Sequence, residues 1–159
     1  MATNRLSERT STDDDVLDGP NRQLISELQT DARLSLAELG RRVGLSAPAV
    51  AERLRRLEGD GVIAGYHAVI DPRRLGYGLG VLIRLRPAPR QIAAAAQLAR
   101  ETPEVVECHR VTGEDCFVMT AYVRDVEHLE AIIDRFVAYG QTTTSIMQSS
   151  PVPRRGIVA

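Results

Sequence analysis

The 159-residue chain contains no tryptophan and no lysine, only two cysteines, and aromatic residues at 4%. Each scarcity excludes something. Cys108 and Cys116 are too few for the disulfide framework of a small secreted domain and point to a reducing, cytoplasmic setting. No apolar stretch approaches the roughly 20 residues of a membrane span. Residues 1–18 are polar and acidic, with the run Asp13-Asp14-Asp15, and lack the apolar centre of a secretory signal. A net charge of −1 excludes a uniformly basic nucleic-acid coat, though not a local basic patch. All 20 basic residues are arginine, so every cationic side chain ends in a planar guanidinium fork. What is present is ordinary for a globular protein, 43% hydrophobic and 26% charged, in a length that suits one domain or two small ones.

Residues 1–16 read as a polar tail, too poor in apolar side chains to offset the entropy of ordering. Asp18 then offers a helix cap and Pro20 suits a first turn, before Leu24, Ile25 and Leu28 recur at helical spacing over 21–30. Ser35-Leu36-Ala37-Glu38 is a capping-box pattern. It opens a short helix with Leu36, Leu39 and Val43 on one side and Gly44 at its end. Ser46 caps a third helix over 46–58, with Ala47, Val50, Leu54 and Leu57 on one face, and Gly59-Asp60-Gly61 stops it. Helix, short helix, glycine-bearing turn and longer helix form a helix-turn-helix pattern. Residues 62–70 read as a strand, broken by Asp71-Pro72, and 71–80 as a hinge.

The period then changes. Val81, Ile83 and Leu85 alternate with Leu82, Arg84 and Arg86, a half-buried strand ended by Pro87. Ile92, Ala95, Ala96 and Ala99 make a helical stripe. Residues 105–112 read as a strand, Gly113-Glu114-Asp115 as a turn, and Phe117, Met119, Ala121 and Val123 as the inward face of a third strand. A helix follows, with Leu129, Ile132, Ile133, Phe136 and Val137 inward and Gly140 as its cap. Residues 142–149, rich in Thr and Ile, read as a fourth strand, and 151–159 as a tail. The order β-α-β-β-α-β is the ferredoxin-like split pattern. The expected fold class is therefore α+β: an N-terminal (winged) helix-turn-helix domain at 17–70, a hinge, and a C-terminal ferredoxin-like domain at 81–150. Both helices cover one sheet face. The other carries Leu82, Val118, Thr120 and Tyr122, a largely uncharged patch that predicts sheet-to-sheet dimerisation.

On the third helix, Pro48, Ala49, Glu52, Arg55 and Arg56 oppose the apolar face, with Arg53 on the flank. Between Arg41 and Arg56 stand five arginines and one glutamate, a local net of +4 inside a chain of −1. A helix-turn-helix sets the start of its second helix against base edges and its flanking cations against phosphates. That places Ser46, Pro48, Ala49, Glu52 and Arg53 near bases and Arg41, Arg42, Arg55 and Arg56 near phosphates. Ala49 suits a thymine methyl, and an arginine fork suits guanine. Cys108, His109, Cys116 and His128 match no zinc spacing, so no metal is expected. No phosphate loop or hydrolase motif occurs.

Several stretches resemble the Lrp/AsnC, or feast/famine, transcriptional regulators. They are 17–28, Arg42-Val43-Gly44-Leu45-Ser46 with 52–58, Gly61-Val62-Ile63-Ala64-Gly65-Tyr66, Glu107-Cys108-His109 and Val111-Thr112-Gly113. The resemblance covers about 17–152. It implies a DNA-binding regulator, not an enzyme, assembled as a homodimer or as an octamer built from dimers. It also implies that the C-terminal domain binds an amino acid or related metabolite between effector domains, with no other cofactor. By position it nominates His109, Thr112, Gly113, Glu114, Asp115 and Cys116, then Val126, Ser145, Ile146 and Met147. An amino acid needs an acceptor for its ammonium, which Glu114 or Asp115 supplies. It needs donors for its carboxylate, which backbone near Gly113 or the hydroxyls of Thr112, Thr142, Thr143 and Thr144 supply. The chain departs from the family's Gly-Asp-aromatic-Asp pattern here, with Gly113-Glu114-Asp115-Cys116, and Ser145 replaces a larger tyrosine. Two other functions use this architecture. A sirohaem-decarboxylase-like enzyme would need His and Arg gathered around a tetrapyrrole, yet His67 and His109 fall in different domains. A DNA-architectural protein would wrap duplex with little sequence preference.

Overall fold

The computed structural model describes residues 17–158; the polar tail expected over 1–16 lies outside them. The described chain divides into two compact units, one formed by 17–68 with 152–158 and one by 69–151. No helix among the described residues is long and apolar enough to cross a membrane.

In the first unit, α1 (Gly19–Thr30) opens on Asp18, whose Oδ1 accepts the Asn21 N–H at 2.8 Å. Helix α2 (Leu36–Val43) opens on Ser35, whose hydroxyl accepts the Glu38 N–H at 3.2 Å. The capping-box expectation is half met, because the Glu38 carboxylate turns outward to Arg41 and Arg42. Gly44 ends α2 at φ 71°, a left-handed conformation that glycine adopts without a Cβ penalty. Helix α3 (Ala47–Gly59) starts at its Ser46 cap. Leu24, Leu39, Val50, Leu54 and Leu57 are the buried core where the three helices meet.

Residues 62–70 correct the expectation of a strand. Ile63 N–H donates to the Leu57 carbonyl at 3.0 Å, and the chain from 64 to 70 then runs without regular structure. Val62, Ile63, Tyr66, Val69 and Ile70 are types that favour a pleat, but a strand also needs a partner for its N–H and C=O groups. The hinge holds a 3₁₀ turn, Pro72–Leu75.

The second unit is a four-stranded antiparallel sheet in the order β2-β3-β1-β4. Its elements are β1 (Leu79–Pro87), α4 (Ile92–Arg100), β2 (Val105–Arg110), β3 (Phe117–Val123), α5 (Val126–Val137) and β4 (Gly140–Ile146). Val81, Ile83 and Leu85 of β1 and Phe117, Met119, Ala121 and Val123 of β3 pack against Ala95, Ala99, Leu129, Ile132 and Phe136. Strand β4 begins earlier than expected because Gly140 is a ladder residue opposite Pro87 rather than a helix cap. A Cβ there would run into the Arg86 carbonyl oxygen and lie 2.5 Å from Pro87 Cα, so only glycine lets the edge strand close on β1.

Candidate DNA interface and effector cleft

The outward side of α3 is held in register by ion pairs. Arg55 and Arg56 both reach back to Glu52, the latter at 3.3 Å. On α2, Arg41 grips Glu38 in a two-pronged contact at 2.9 and 2.7 Å. Arg42 bridges Glu38 at 2.8 Å and Glu27 of α1 at 2.6 Å. Arg41 and then Arg42 hold the exposed Glu38 carboxyl down to about 2, and Arg55 and then Arg56 lower that of Glu52. Five guanidiniums therefore face four carboxylates, those of Asp18, Glu27, Glu38 and Glu52. The net of +4 read along the chain falls to about +1 in space, because Asp18, Glu27 and Glu38 lie outside the segment that was summed. Such exposed pairs are worth little in water, so a phosphate can take over the guanidinium fork.

Arg53, expected near bases, makes its contacts within the unit. Its Nη1 donates to Asp18 Oδ2 at 2.6 Å and to Asn21 Oδ1 at 3.0 Å, so it is spent holding α3 to the start of α1. The Asn21 N–H and then Arg53 hold the Asp18 carboxyl below its ordinary value. Arg53→Ala is expected to destabilise this unit by about 1–2 kcal/mol, a charge-assisted bond discounted for partial exposure. The folded pKa of Asp18 is depressed. The stability it contributes is thus present above the unfolded value of about 3.9 and is lost as pH falls through the folded one. Chemical denaturation at pH 7 and at pH 3 checks both points: the gap between wild type and variant narrows at pH 3.

Tyr66, outside the set of residues expected at the site, donates its hydroxyl to Glu58 Oε1 at 2.8 Å. Burial and then this carboxylate push the phenol up to about 12. The bond ties the segment after α3 back to that helix; the Gly-Tyr motif was the signal for it.

In the second unit, the structure divides the nominated effector residues. Thr112, Gly113, Glu114 and Asp115 form the turn between β2 and β3, with Gly113 at φ 109°. Cys116 leaves it toward the core, its N–H bonded to the Leu85 carbonyl at 3.1 Å. Beside the turn lies a cleft of about 320 Å³ lined by Arg84, Arg86, Glu114, Asp115, Gln141 and Thr143. Arg86 Nη2 donates to Glu114 Oε2 at 2.9 Å. Arg84, Arg86 and Gln141 are its unforeseen members, although the alternation of β1 had already set both arginines outward.

The other nominees lie elsewhere. Cross-strand partners share a sheet face. Thr142, Thr144 and Ile146 stand opposite Leu85, Ile83 and Val81, so they belong to the helix-covered face. Ser145 stands opposite Leu82 and His109 opposite Val118, both on the open face. Met147 sits at the far end of the sheet, where a Cβ on Gly80 would meet its Cε at 2.5 Å. Gly80 and Leu85 are about 17 Å apart along β1 at the rise of a strand. Val126, the exposed first residue of α5, follows directly on that far end of β3. One chain therefore gathers Glu114, Asp115 and Thr143 but not Val126 or Met147.

Residues 17–58 match the AsnC-type helix-turn-helix domain, and residues 80–157 match the Lrp/AsnC ligand binding domain. The chain is 40% identical over 134 residues to YezC of Bacillus subtilis strain 168, an uncharacterized HTH-type transcriptional regulator, across 84% of this chain and 95% of that one. It is 37% identical over 113 residues to the leucine-responsive regulatory protein of Escherichia coli K12, across 69% of each. The fold matches the feast or famine regulatory protein Rv3291c of M. tuberculosis complexed with L-methionine. The TM-score is 0.84 at 34% identity, over 90% of this chain and 99% of that one.

Proposed function

The chain belongs to the Lrp/AsnC family of transcriptional regulators, and from that premise we propose that it reads specific duplex DNA through α3 and adjusts that binding when an amino acid occupies its second unit. The observation that carries this reading is the union, in one chain, of an AsnC-type helix-turn-helix and an Lrp/AsnC ligand binding domain. Pro48, Ala49, Glu52 and the free hydroxyl proton of Ser46 meet base edges; Arg41, Arg42, Arg55 and Arg56 exchange their carboxylate partners for phosphates. Arg53 positions α3 and does not read sequence.

The effector cleft suits a zwitterion. Arg84 and Arg86 present forks to a carboxylate, and Asp115 with Glu114 accepts an ammonium. The relative Rv3291c was solved with L-methionine, which makes methionine the first probe. The open sheet face packs on a second copy, roofing the cleft and presenting two α3 helices to half-sites about one helical turn, or a multiple, apart. Homodimers then join in larger even assemblies. The protein works in the cytoplasm, where its DNA lies.

Fluorescence anisotropy on duplex from upstream of its own gene, at fixed salt, tests the reading. Expected is binding that resists random competitor DNA and shifts when methionine or pooled amino acids are added. Affinity no better than for random duplex would overturn it. Tyr122→Asp places a charge on the open face and is expected to lower the mass measured by light scattering; an unchanged mass would exclude the sheet-face dimer.

A further inference from the structure

The chain enters its helix-turn-helix unit twice, at 17–68 and again at 152–158. The second visit is fastened by one side chain. Gln29 of α1 donates Nε2–H to the Ile157 carbonyl at 2.9 Å, and its Oε1 accepts the Ile157 N–H at 2.6 Å, across 128 residues of sequence. The amide thus pairs both backbone groups of one residue, as a neighbouring strand would. Gly156 makes the approach feasible: a Cβ there would meet Gln29 Oε1 at 2.5 Å, Cδ at 2.8 Å and Cβ at 2.9 Å. The two-point clamp, with a glycine packed directly against it, marks a seat for the segment.

The docked segment carries Arg154 and Arg155, both exposed. Gln29 lies in the last turn of α1, from which the short link 31–35 leads to the start of α2. In helix-turn-helix complexes the helix ahead of the recognition helix crosses the duplex backbone, and the arm is seated one short link from where that helix starts. Arg154 and Arg155 add two exposed guanidiniums to a unit whose α2 and α3 arginines are largely engaged with its own carboxylates.

We propose that residues 152–158 form a C-terminal arm of the DNA-binding unit. Arg154 and Arg155 neutralise phosphates flanking the site read by α3, and Gln29 with Gly156 hold the arm in place. The ligand is the sugar-phosphate backbone of duplex DNA, read without regard to sequence. This rests on the reading that α3 binds DNA, and the experiment separates the two.

Binding of the full chain to its upstream duplex is measured by anisotropy from 50 to 200 mM salt for wild type, Arg154→Ala/Arg155→Ala, Gln29→Ala, and a chain ending at Pro151. Neutralising each phosphate steepens the slope of log affinity against log salt by about 0.9. The double variant and the shortened chain are expected to flatten that slope by about two per arm, about four for a dimer on two half-sites, while keeping preference for the specific duplex. Gln29→Ala loosens the arm without removing its charges, so it lowers affinity several-fold at a nearly unchanged slope. Slopes equal to wild type in both arm variants would overturn the proposal. A lowered mass by light scattering with an unchanged slope would do the same, assigning the arm to a contact between copies. Full affinity in Gln29→Ala would overturn the role of the clamp. Wild type that fails to bind specific duplex at all defeats the α3 reading instead.

Discussion

In the Gly40→Val protein, specific DNA binding is expected to be lost and the helix-turn-helix unit to melt far below its wild-type temperature. Gly40 lies on α2 where the chain doubles back, and its carbonyl accepts the Leu45 N–H at 2.9 Å. A Cβ at this position would run into the Leu45 carbonyl oxygen and lie 3.5 Å from Ala47 N. The obstacle is backbone, which cannot swing aside as a long side chain would. Gly44 at φ 71° sets the turn on one side, and the Ser46 cap sets the start of α3 on the other. Either α2 or α3 must move, and the base-reading residues Pro48, Ala49 and Glu52 move with α3. Overpacking costs about 1–3 kcal/mol and more against backbone. A unit of this size has a total stability of only about 3–8 kcal/mol. Gly59→Ala is the matched control, because nothing lies within 4 Å of a Cβ there. Circular dichroism melting with anisotropy on specific duplex distinguishes them; Gly40→Val binding as tightly as Gly59→Ala would show that the turn tolerates a side chain.

Phe136→Ala is the corresponding test of the second unit. Phe136 is fully buried and is the largest such side chain among the described residues. It sits on α5 within the core formed with Ile83, Leu85 and Met119 of the sheet. Truncating a buried phenylalanine removes apolar burial and leaves a void, at about 3–5 kcal/mol. For a unit of some 80 residues that is a large share of a stability of about 4–12 kcal/mol. The expected fall in melting temperature is more than about 12 °C. Calorimetry is expected to show the transition of the second unit moved and that of the helix-turn-helix in place. Above the lowered transition, anisotropy then loses the response to methionine, and DNA affinity falls to that of unpaired helix-turn-helix units. A single transition moving as a whole would show that the two units unfold together.

Most of this architecture was legible in the chain because it rests on local physics. Asp18, Ser35 and Ser46 cap helices wherever their hydroxyl or carboxylate meets a free N–H three residues on, and each does so here. The alternation of Val81, Ile83 and Leu85 determined which face of β1 is buried, and with it the outward placement of Arg84 and Arg86. The order of elements then determined the ferredoxin-like sheet, since few topologies accept β-α-β-β-α-β.

What the sequence could not decide is pairing between residues remote in the chain. Arg53 looks like its neighbours Arg55 and Arg56, yet only folding brings Asp18 and Asn21 within reach of it. Summing charges from Arg41 to Arg56 leaves out Glu27, Glu38 and Asp18, which the packed helices bring back against those arginines. Thr142, Thr143 and Thr144 are equivalent as a string, but register against Leu85, Arg84 and Ile83 sends the middle one to the open face and its neighbours to the other. Residues 62–70 are rich in strand-favouring Val, Ile and Tyr, yet pair with no strand among the described residues. Local propensity acts within a turn or two of chain and is written in neighbouring residues. Ion pairs, register and the seat of the 152–158 arm on Gln29 depend on distances that exist only once the chain has folded.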